Sequence, residues 1–352
     1  MKRIVLILLS LGLCIHMQLF SQETDTIETL VVEENQEAEV AYNKGLTLLK
    51  QKNFTEAVNQ FNVALEHKPD FLKAYINMGA AYTYAGNLRN AVLAYNKALK
   101  VDSTFGQAYY NRGLLYYSQK NYEQSVSDFL LAEANGYKSQ ELYYYLGVSY
   151  FFQENYEESV DAYTKAIAFN PAYAFAYNDR GSARRMLENY DAAIRDYEKA
   201  IQINPKFAAA YDNLGKVYYL QEKYEQAISM YDKAIEKKND FYIAYNNRGE
   251  AQFALGNINA AFKDYKKALQ LQPDYEYAYN NLGVLYAHKK RFKEAVKMYD
   301  KAIEINPDFG LAYFNRGAAY EMLKKFDEAC LEWVEAKKKG VDIPAAYISG
   351  CN

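Results

Sequence analysis

Small and aromatic residues recur along the chain at a fixed interval of 34 positions. Glycine occupies nine positions of one register, from Gly45 to Gly317. When this glycine is numbered position 8, small or apolar residues fall at positions 4, 8 and 11 and again at positions 20, 24 and 27. Both sets have helical spacing, so each repeat is predicted to form two amphipathic helices, A and B. Nine equal repeats predict an all-α stack of α-hairpins, a repeat solenoid.

The repeats fill residues 38–343 without insertion or deletion. A glycine or a polar pair separates the two helices, and proline stands at position 32 in five repeats. Proline ends helix B because it has no N–H group to donate and clashes with the preceding turn. The predicted repeats are 38–71, 72–105, 106–139, 140–173, 174–207, 208–241, 242–275, 276–309 and 310–343.

The residue types at these positions favour close helix packing. Position 4 is tyrosine in eight repeats, position 24 is aromatic in all nine, and position 27 is always alanine. Small residues at positions 8, 20 and 27 allow the helices to approach, and the rings fill the remaining space.

This pattern resembles the tetratricopeptide repeat, a 34-residue helix–turn–helix unit. The segment from Tyr279 to Pro307, YNNLGVLYAHKKRFKEAVKMYDKAIEINP, is a close match. Tyrosine replaces the tryptophan of the family at position 4, and arginine often replaces leucine at position 7. The resemblance implies a right-handed superhelix in which helix A lines the concave side. It also implies a protein-binding function.

The N-terminal residues have the layout of a secretory signal peptide. Lys2 and Arg3 precede an apolar run that is shorter than a typical transmembrane helix. We expect residues 1–21 to be removed after export, and residues 22–37, with six acidic and no basic residues, to form a flexible leader. Cys14 offers the alternative of a lipoprotein anchor, although bulky Leu13 precedes it.

Composition narrows the classes of function. The formal net charge of the 352-residue chain is −3, so the chain has no basic field that would collect nucleic acid. The chain carries only three histidines, and no phosphate-binding glycine loop, Cys-x-x-Cys pair or nucleophile elbow is present. We therefore expect no enzymatic activity, no cofactor and no metal site.

Two positions vary together within a repeat. In repeats 2 to 9, position 7 alternates between an apolar residue and arginine, and position 23 carries a carboxylate only where position 7 is arginine. Repeat 1, with Lys44 and Gln60, fits neither class. This covariation predicts structural ion pairs between helices A and B of one repeat, since arginine can bind a carboxylate through two nitrogens. The predicted pairs are Arg112 with Asp128, Arg180 with Asp196, Arg248 with Asp264, and Arg316 with Glu332.

Asparagine forms a row on the outward side of helix A. Position 6 is asparagine in seven repeats, and Tyr145 and Asp179 interrupt the row. A spaced series of carboxamides offers donors and acceptors that could hold a peptide backbone. The alternative is that these side chains satisfy local groups between neighbouring helices. The row comprises Asn43, Asn77, Asn111, Asn213, Asn247, Asn281 and Asn315.

Repeats 3 and 4 are aromatic where the following repeats are polar. The stretch from Tyr143 to Phe152 is apolar all round. Such a helix is either buried by its neighbours or exposes an aromatic anchor site for a partner. The candidate anchors are Tyr110, Tyr117, Tyr144, Tyr145, Phe151 and Phe152.

Arg184 and Arg185 depart from the repeat pattern. They could bind an anion beside Asp179 and Asp212, although packing of the arginine stems with solvated heads is the simpler interpretation.

The last residues are predicted to cap the stack. Residues 344–352 include a short helix after Pro344, which would bring Cys351 back towards Cys330. A disulfide there would close a loop of about 20 residues and contribute on the order of 3 kcal/mol. Two free thiols are the alternative.

Together these features predict an exported bacterial protein, periplasmic or secreted, that binds an extended protein or peptide segment in its concave groove. One alternative is an assembly subunit that uses its convex or terminal surfaces. Another is a glycan- or cell-wall-binding module whose tyrosines stack on sugar rings. Membrane association would require a lipid on Cys14 or a membrane-bound partner.

Overall fold

The computed structural model describes residues 36–348 and residue 351. The expected signal peptide, Cys14 and residues 22–35 of the expected leader lie outside this part of the chain. The helix-A segments are α1 (Gln36–Lys50), α3 (Leu72–Tyr84), α5 (Gly106–Ser118), α7 (Gln140–Phe152), α9 (Ala174–Met186), α11 (Ala208–Leu220), α13 (Tyr242–Ala254), α15 (Glu276–His288) and α17 (Gly310–Met322). The helix-B segments are α2 (Phe54–His67), α4 (Leu88–Val101), α6 (Tyr122–Ala134), α8 (Tyr156–Phe169), α10 (Tyr190–Ile203), α12 (Tyr224–Lys237), α14 (Ile258–Leu271), α16 (Phe292–Ile305) and α18 (Phe326–Lys338).

All the longer helices of the described residues form consecutive A–B hairpins, as an α-hairpin solenoid requires. A short helix, α19 (Ala345–Ile348), follows the ninth hairpin. The first helix begins at Gln36, so Gln36 and Glu37, which were assigned to the leader, belong to α1.

Contacts divide the chain into two compact bodies, one ending at Ala108 and one beginning at Tyr109. In the N-terminal body, α1 to α4 pack in sequence, and α1 also contacts α3. In the C-terminal body, every helix from α6 to α18 packs on the next. The helix-A segments α7, α9, α11, α13, α15 and α17 also contact one another in order. They therefore form a continuous helix-A row.

Glycine recurs every 34 residues because helices A and B make the same tight contact at position 8 of each repeat. A Cβ atom at Gly283 would lie 2.4 Å from Cε1 of Tyr299, and one at Gly79 would lie 2.4 Å from Cε1 of Tyr95. Both rings are almost fully buried, so neither has space in which to move aside. A side chain at position 8 is therefore excluded wherever position 24 is a ring.

The turn between helices A and B repeats a left-handed residue at position 15. Gly86 and Gly256 have φ angles of 75° and 78° there, and side-chain-bearing residues such as Lys120 and Glu222 both have φ of 60°. Residues with a side chain adopt this conformation at a cost, whereas glycine adopts it freely.

The C-terminal end is closed by a disulfide. Cys330 of α18 and Cys351 are bonded, with Cα atoms 5.3 Å apart. Ile348 and Cys351 pack against a cluster that includes buried Trp333 and Ile343. The segment after the ninth repeat thus covers part of the last helix B.

Candidate functional site

The asparagine row lies along helix A, and its side chains bond from one repeat to the previous one. In five such bonds Nδ2 of position 6 donates to the residue 35 positions earlier, which is position 5 of the preceding repeat. The bonds are Asn77 to Tyr42 at 2.8 Å, Asn213 to Asn178 at 3.0 Å, Asn247 to Asp212 at 3.0 Å, Asn281 to Asn246 at 3.0 Å, and Asn315 to Asn280 at 2.9 Å.

This arrangement corrects the expectation of a freely available ladder. Stacking brings position 6 of one helix A against position 5 of the preceding one, and polar groups enclosed there must be paired. Asn77 and Asn281 each use Nδ2 twice, the second acceptors being Lys73 O and Glu250 Oε1. Asn111 is buried, with 7% of its surface exposed. These residues have a structural role between helices.

Asn213 and Asn315 differ from those asparagines. Both are half-buried, and each makes only the one inter-repeat hydrogen bond among the described residues. Each carboxamide therefore keeps its Oδ1 and one N–H for another partner. The inter-repeat bond holds each of them in a fixed orientation.

Between repeats 4 and 5, where the aromatic repeats meet the polar ones, the donor and the acceptor of this inter-repeat hydrogen bond exchange positions. The hydroxyl of Tyr144 donates to Oδ2 of Asp179 at 2.7 Å. Here position 5 donates and position 6 accepts. The residue types differ accordingly, because a phenol hydroxyl stands at position 5 and a carboxylate replaces the asparagine at position 6.

Charged groups cluster on the helix-A row of repeats 5 to 7. Burial raises the pKa of Asp179 and of Asp212 to about 6, and it also raises the pKa of Glu250. Burial, and to a smaller extent the neighbouring Arg185 charge, lowers the pKa of Lys216 to about 8. The Lys216 ammonium makes no hydrogen bond or ion pair within the described chain, although the Asp212 and Glu250 charges act on it. Lys216 is therefore a half-buried cation whose N–H donors are available to a ligand.

The aromatic rings of repeats 3 and 4 pack against one another. Tyr110, Tyr145 and Phe151 are buried, with 7%, 7% and 9% of their surfaces exposed. Tyr110 lies 4.6 Å from Tyr137 between ring centroids, and Tyr145 lies 4.9 Å from Tyr117. Rings from adjacent repeats cover each other because large side chains occur at several positions of neighbouring helices. These three residues are core residues, which corrects their assignment as anchors.

The remaining three candidate anchors are partly covered. Tyr117 and Phe152 are half-buried, and Phe152 stacks on Tyr122 with centroids 4.7 Å apart. Tyr144 contacts Tyr173 at 5.1 Å in addition to its bond to Asp179. On helix A of these two repeats, little surface of the six candidate rings is left for a partner.

The position-7 arginines bond to the position-23 carboxylates of the same repeat. Each of the three Arg–Asp pairs has two parallel hydrogen bonds, one from Nε and one from Nη2. For Arg248 and Asp264 these measure 2.9 and 2.6 Å. The corresponding distances are 2.7 and 2.6 Å for Arg112 and Asp128, and 2.9 and 2.7 Å for Arg180 and Asp196. Arg316 donates Nη2 to both oxygens of Glu332 at 2.8 Å.

Two of the arginines also bond to the preceding repeat, a contact that covariation within repeats does not predict. Nη1 of Arg248 donates to Asp232 at 2.6 Å, and Nη1 of Arg316 donates to Asp300 at 2.6 Å. Each guanidinium also lies over a position-4 ring; for Arg248 this is Tyr245, at 5.3 Å. One residue thus joins helices A and B of its own repeat to the preceding helix B.

The extra arginines of repeat 5 do not act as a pair. Nη1 of Arg184 donates to Asp196 at 2.8 Å, so Arg184 joins the structural ion pair. The Arg185 charge lowers the pKa of Asp212, against the larger effect of burial. The two side chains therefore have separate surroundings, and no joint anion site is formed.

Within residues 36–348, no group of three or more histidine, cysteine or acidic side chains could hold a metal ion. His67 lies 3.1 Å from Glu37, and His288 contacts the ring of Phe253. None of the helices in this part of the chain is long and apolar enough to cross a membrane.

Comparisons with known families agree with this architecture. Models described as "Tetratricopeptide repeat" match residues 38–71, 141–173, 276–309 and 298–330. A model described as "TPR repeat" matches residues 79–120, 181–222, 215–256 and 249–290. The matches together cover more than half of the sequence. The chain belongs to the tetratricopeptide repeat family.

Three solved structures illustrate what this chain is similar to. The C-terminal part of a TPR repeat-containing protein from Cytophaga hutchinsonii is 19% identical with a TM-score of 0.52, covering 68% of this chain and 98% of that one. YrrB, described as a TPR protein with an unusual peptide-binding site, is 27% identical with a TM-score of 0.49, covering 52% and 95%. Yeast Tom70 is 15% identical with a TM-score of 0.47, covering 88% and 93%. No curated protein matches the chain.

Proposed function

We propose that this protein is a non-enzymatic protein-interaction scaffold whose helix-A row binds an extended peptide or protein segment. The observation that carries this proposal is the hydrogen bonding and the exposure of Asn213 and Asn315. Each is held by a single inter-repeat bond and keeps an unused N–H and carbonyl oxygen on a half-exposed side chain. Groups that are already oriented lose little entropy when they bind a ligand.

The charges beside Asn213 suggest which part of a ligand would lie there. Lys216 is in the next turn of the same helix, and its three N–H donors have no hydrogen-bond partner among residues 36–348. Asp212 already accepts from Asn247, and Glu250 accepts from Asn246 and Asn281. A peptide lying here would therefore meet donors at Lys216 and Asn213, which suit backbone or side-chain oxygens.

A random peptide library displayed on phage, selected against the full chain, tests this proposal. We expect peptides that bind in a salt-dependent manner and that lose about tenfold affinity when Lys216 is changed to Met, or Asn213 to Ala. Fluorescence anisotropy with a recovered peptide measures this loss. Lys233 provides the matched control because it is exposed on helix B of the same repeat. Lys233→Met should change the affinity less than twofold.

Three results would contradict the proposal. They are failure to recover any binding peptide, equal losses for Lys216→Met and Lys233→Met, and peptides that cross-link only to helix-B segments. The last result would instead favour an assembly role through the other surfaces.

We also propose that the protein is exported and acts in the periplasm or outside the cell. The charged and apolar residues at the N-terminus have the signal-peptide layout. The bond between Cys330 and Cys351 suits an oxidising compartment. The mass of the protein recovered from the host envelope checks this, because cleavage before Gln22 would remove 21 residues, whereas lipidation would leave Cys14 first.

A further inference from the structure

A cleft of about 970 Å³ opens beside α1 and α3 in the N-terminal body. Its apolar part is formed by Tyr42, Leu46, Phe71 and Ile76. Tyr42 is held in place by the ring of Phe71 at 4.8 Å and by the bond from Asn77. The cleft is therefore a preformed surface with an apolar base.

The polar border of the cleft is mainly basic. Lys50, Lys68 and Lys73 line it, against two acidic residues, Glu39 and Asp70. The Lys50 and Lys73 ammonium groups have no ion-pair partner in residues 36–348, and the Lys68 ammonium lies 5.3 Å from the Phe71 ring centroid. A local excess of positive charge in a chain of net charge −3 favours an occupant that is acidic as well as apolar.

The chain itself contains a segment of this kind. Residues 22–35, QETDTIETLVVEEN, carry five acidic residues and no basic ones, and Ile27, Leu30, Val31 and Val32 lie between the acidic groups. This segment joins α1 at Gln36, three residues before Glu39 at the border of the cleft. Fourteen residues can extend about 45 Å, whereas the fifteen residues of α1 rise about 22 Å. The segment is therefore long enough to run back along α1 to Lys50.

We propose that residues 22–35 bind in this cleft of their own chain. Ile27 and the apolar residues up to Val32 would cover Leu46 and Ile76, and the flanking carboxylates would lie beside Lys50 and Lys73. A ligand directed at the first two repeats must then displace this internal segment. The tether is short, so the effective concentration of the segment is in the millimolar range.

A competition experiment with the full chain tests the proposal. The probe is a fluorescent synthetic peptide of residues 22–35, and its binding is followed by anisotropy. A leader-neutral variant carries E23Q, D25N, E28Q, E33Q and E34Q. We expect this variant to bind the probe about tenfold more tightly than the natural chain, because a tethered competitor at about 1 mM masks a site of about 100 μM affinity to that extent.

A second pair of variants locates the binding site. In the leader-neutral chain, Lys50→Gln with Lys73→Gln should weaken probe binding about tenfold. Lys97 and Lys100 are the matched controls, since they lie on α4 in the same body but line a different pocket. Lys97→Gln with Lys100→Gln should change the affinity less than twofold. Circular dichroism checks that each variant keeps its helical content.

A photo-crosslinking residue at Val31 of the full chain distinguishes the internal segment from a second copy. Cross-links within one chain, to residues between Leu46 and Ile76, support the proposal. Cross-links at twice the chain mass would overturn it in favour of exchange between two copies. Equal probe affinity of the natural and leader-neutral chains, or no binding to either, would also overturn it.

Discussion

Two regions of the molecule carry different residue types at the same helix-A positions. One region consists of repeats 3 and 4, and the other of repeats 5 to 8. In the first region these positions carry rings, of which Tyr110, Tyr145 and Phe151 are buried. In the second they carry amides and charges that bond from one repeat to the preceding one. In both regions each repeat is an A–B hairpin whose helix A has 13 residues.

The difference shows that one stacking geometry can be stabilised in two ways. Rings exclude water and bury most of their surface against each other, so they leave few polar groups for a ligand. Amides require only one or two bonds each, so Asn213 and Asn315 retain unused donors and acceptors. The polar region is therefore the more suitable part of the row for binding, and the aromatic region is the more suitable for stability.

Substitutions at position 12 should give the largest difference in stability between the two regions. Position 12 is Phe151 in repeat 4 and Arg185 in repeat 5. Phe151→Ala should lower the free energy of unfolding by about 3–5 kcal/mol, because a buried ring is lost and a cavity remains. Arg185→Ala should lower it by about 1 kcal/mol, since Arg185 is half-buried and its enclosed Nε makes no hydrogen bond within residues 36–348, so mainly packing of the stem is lost. Denaturant unfolding followed by circular dichroism measures both changes.

Phe169 is the control for the ring itself. It lies on helix B of repeat 4 with 52% of its surface exposed, so Phe169→Ala should cost less than Phe151→Ala. Similar losses for Phe151→Ala and Arg185→Ala would mean that the two regions do not differ in the way described.

The interval of 34 residues was sufficient to predict the hairpins because glycine and a ring must coincide in every repeat. Covariation within repeats paired Arg248 with Asp264, and these residues are in bonding contact. Hydrogen bonds between repeats were only one of two interpretations of the asparagine row, since position 6 faces outward in an isolated hairpin and meets position 5 of the preceding repeat only after stacking. The burial of Lys216 likewise depends on neighbouring repeats, so the residue pattern of one helix does not predict it.

The acidic groups of the polar region predict a dependence on pH. The pKa of Asp212 is raised to about 6 by burial, whereas an unfolded aspartate titrates near 3.9. The native state therefore binds more protons than the unfolded state between these values, and the contribution of Asp212 to stability is lost as pH rises through 6. Relative to the natural chain, Asp212→Asn should gain up to about 3 kcal/mol between pH 4 and pH 7.

Tyr117→Phe supplies the comparison from the aromatic region. Burial raises the pKa of Tyr117, so the phenol does not ionise between pH 4 and pH 7. The difference in unfolding free energy between Tyr117→Phe and the natural chain should stay constant over this range. A constant difference for Asp212→Asn as well would remove the proposed electrostatic distinction between the regions.

The smallest expected effect lies outside the helix-A face, at position 15 of the turn. Lys120 in repeat 3 and Glu222 in repeat 6 are both exposed, and both have φ of 60°. Glycine relieves the steric cost of this conformation but adds entropy to the unfolded chain, so each substitution to glycine should stabilise by about 0.5–1 kcal/mol.

Gly256 tests the same argument in reverse. Its φ is 78°, and a Cβ atom there would meet nothing within 4 Å, so Gly256→Ala should destabilise by about 1 kcal/mol through the backbone alone. Equal gains at Lys120 and Glu222 would show that the turns do not depend on the chemistry of the face beside them. A gain in only one region would mean that the rings or the amides alter the hairpin itself, and the comparison would then have to include the turns.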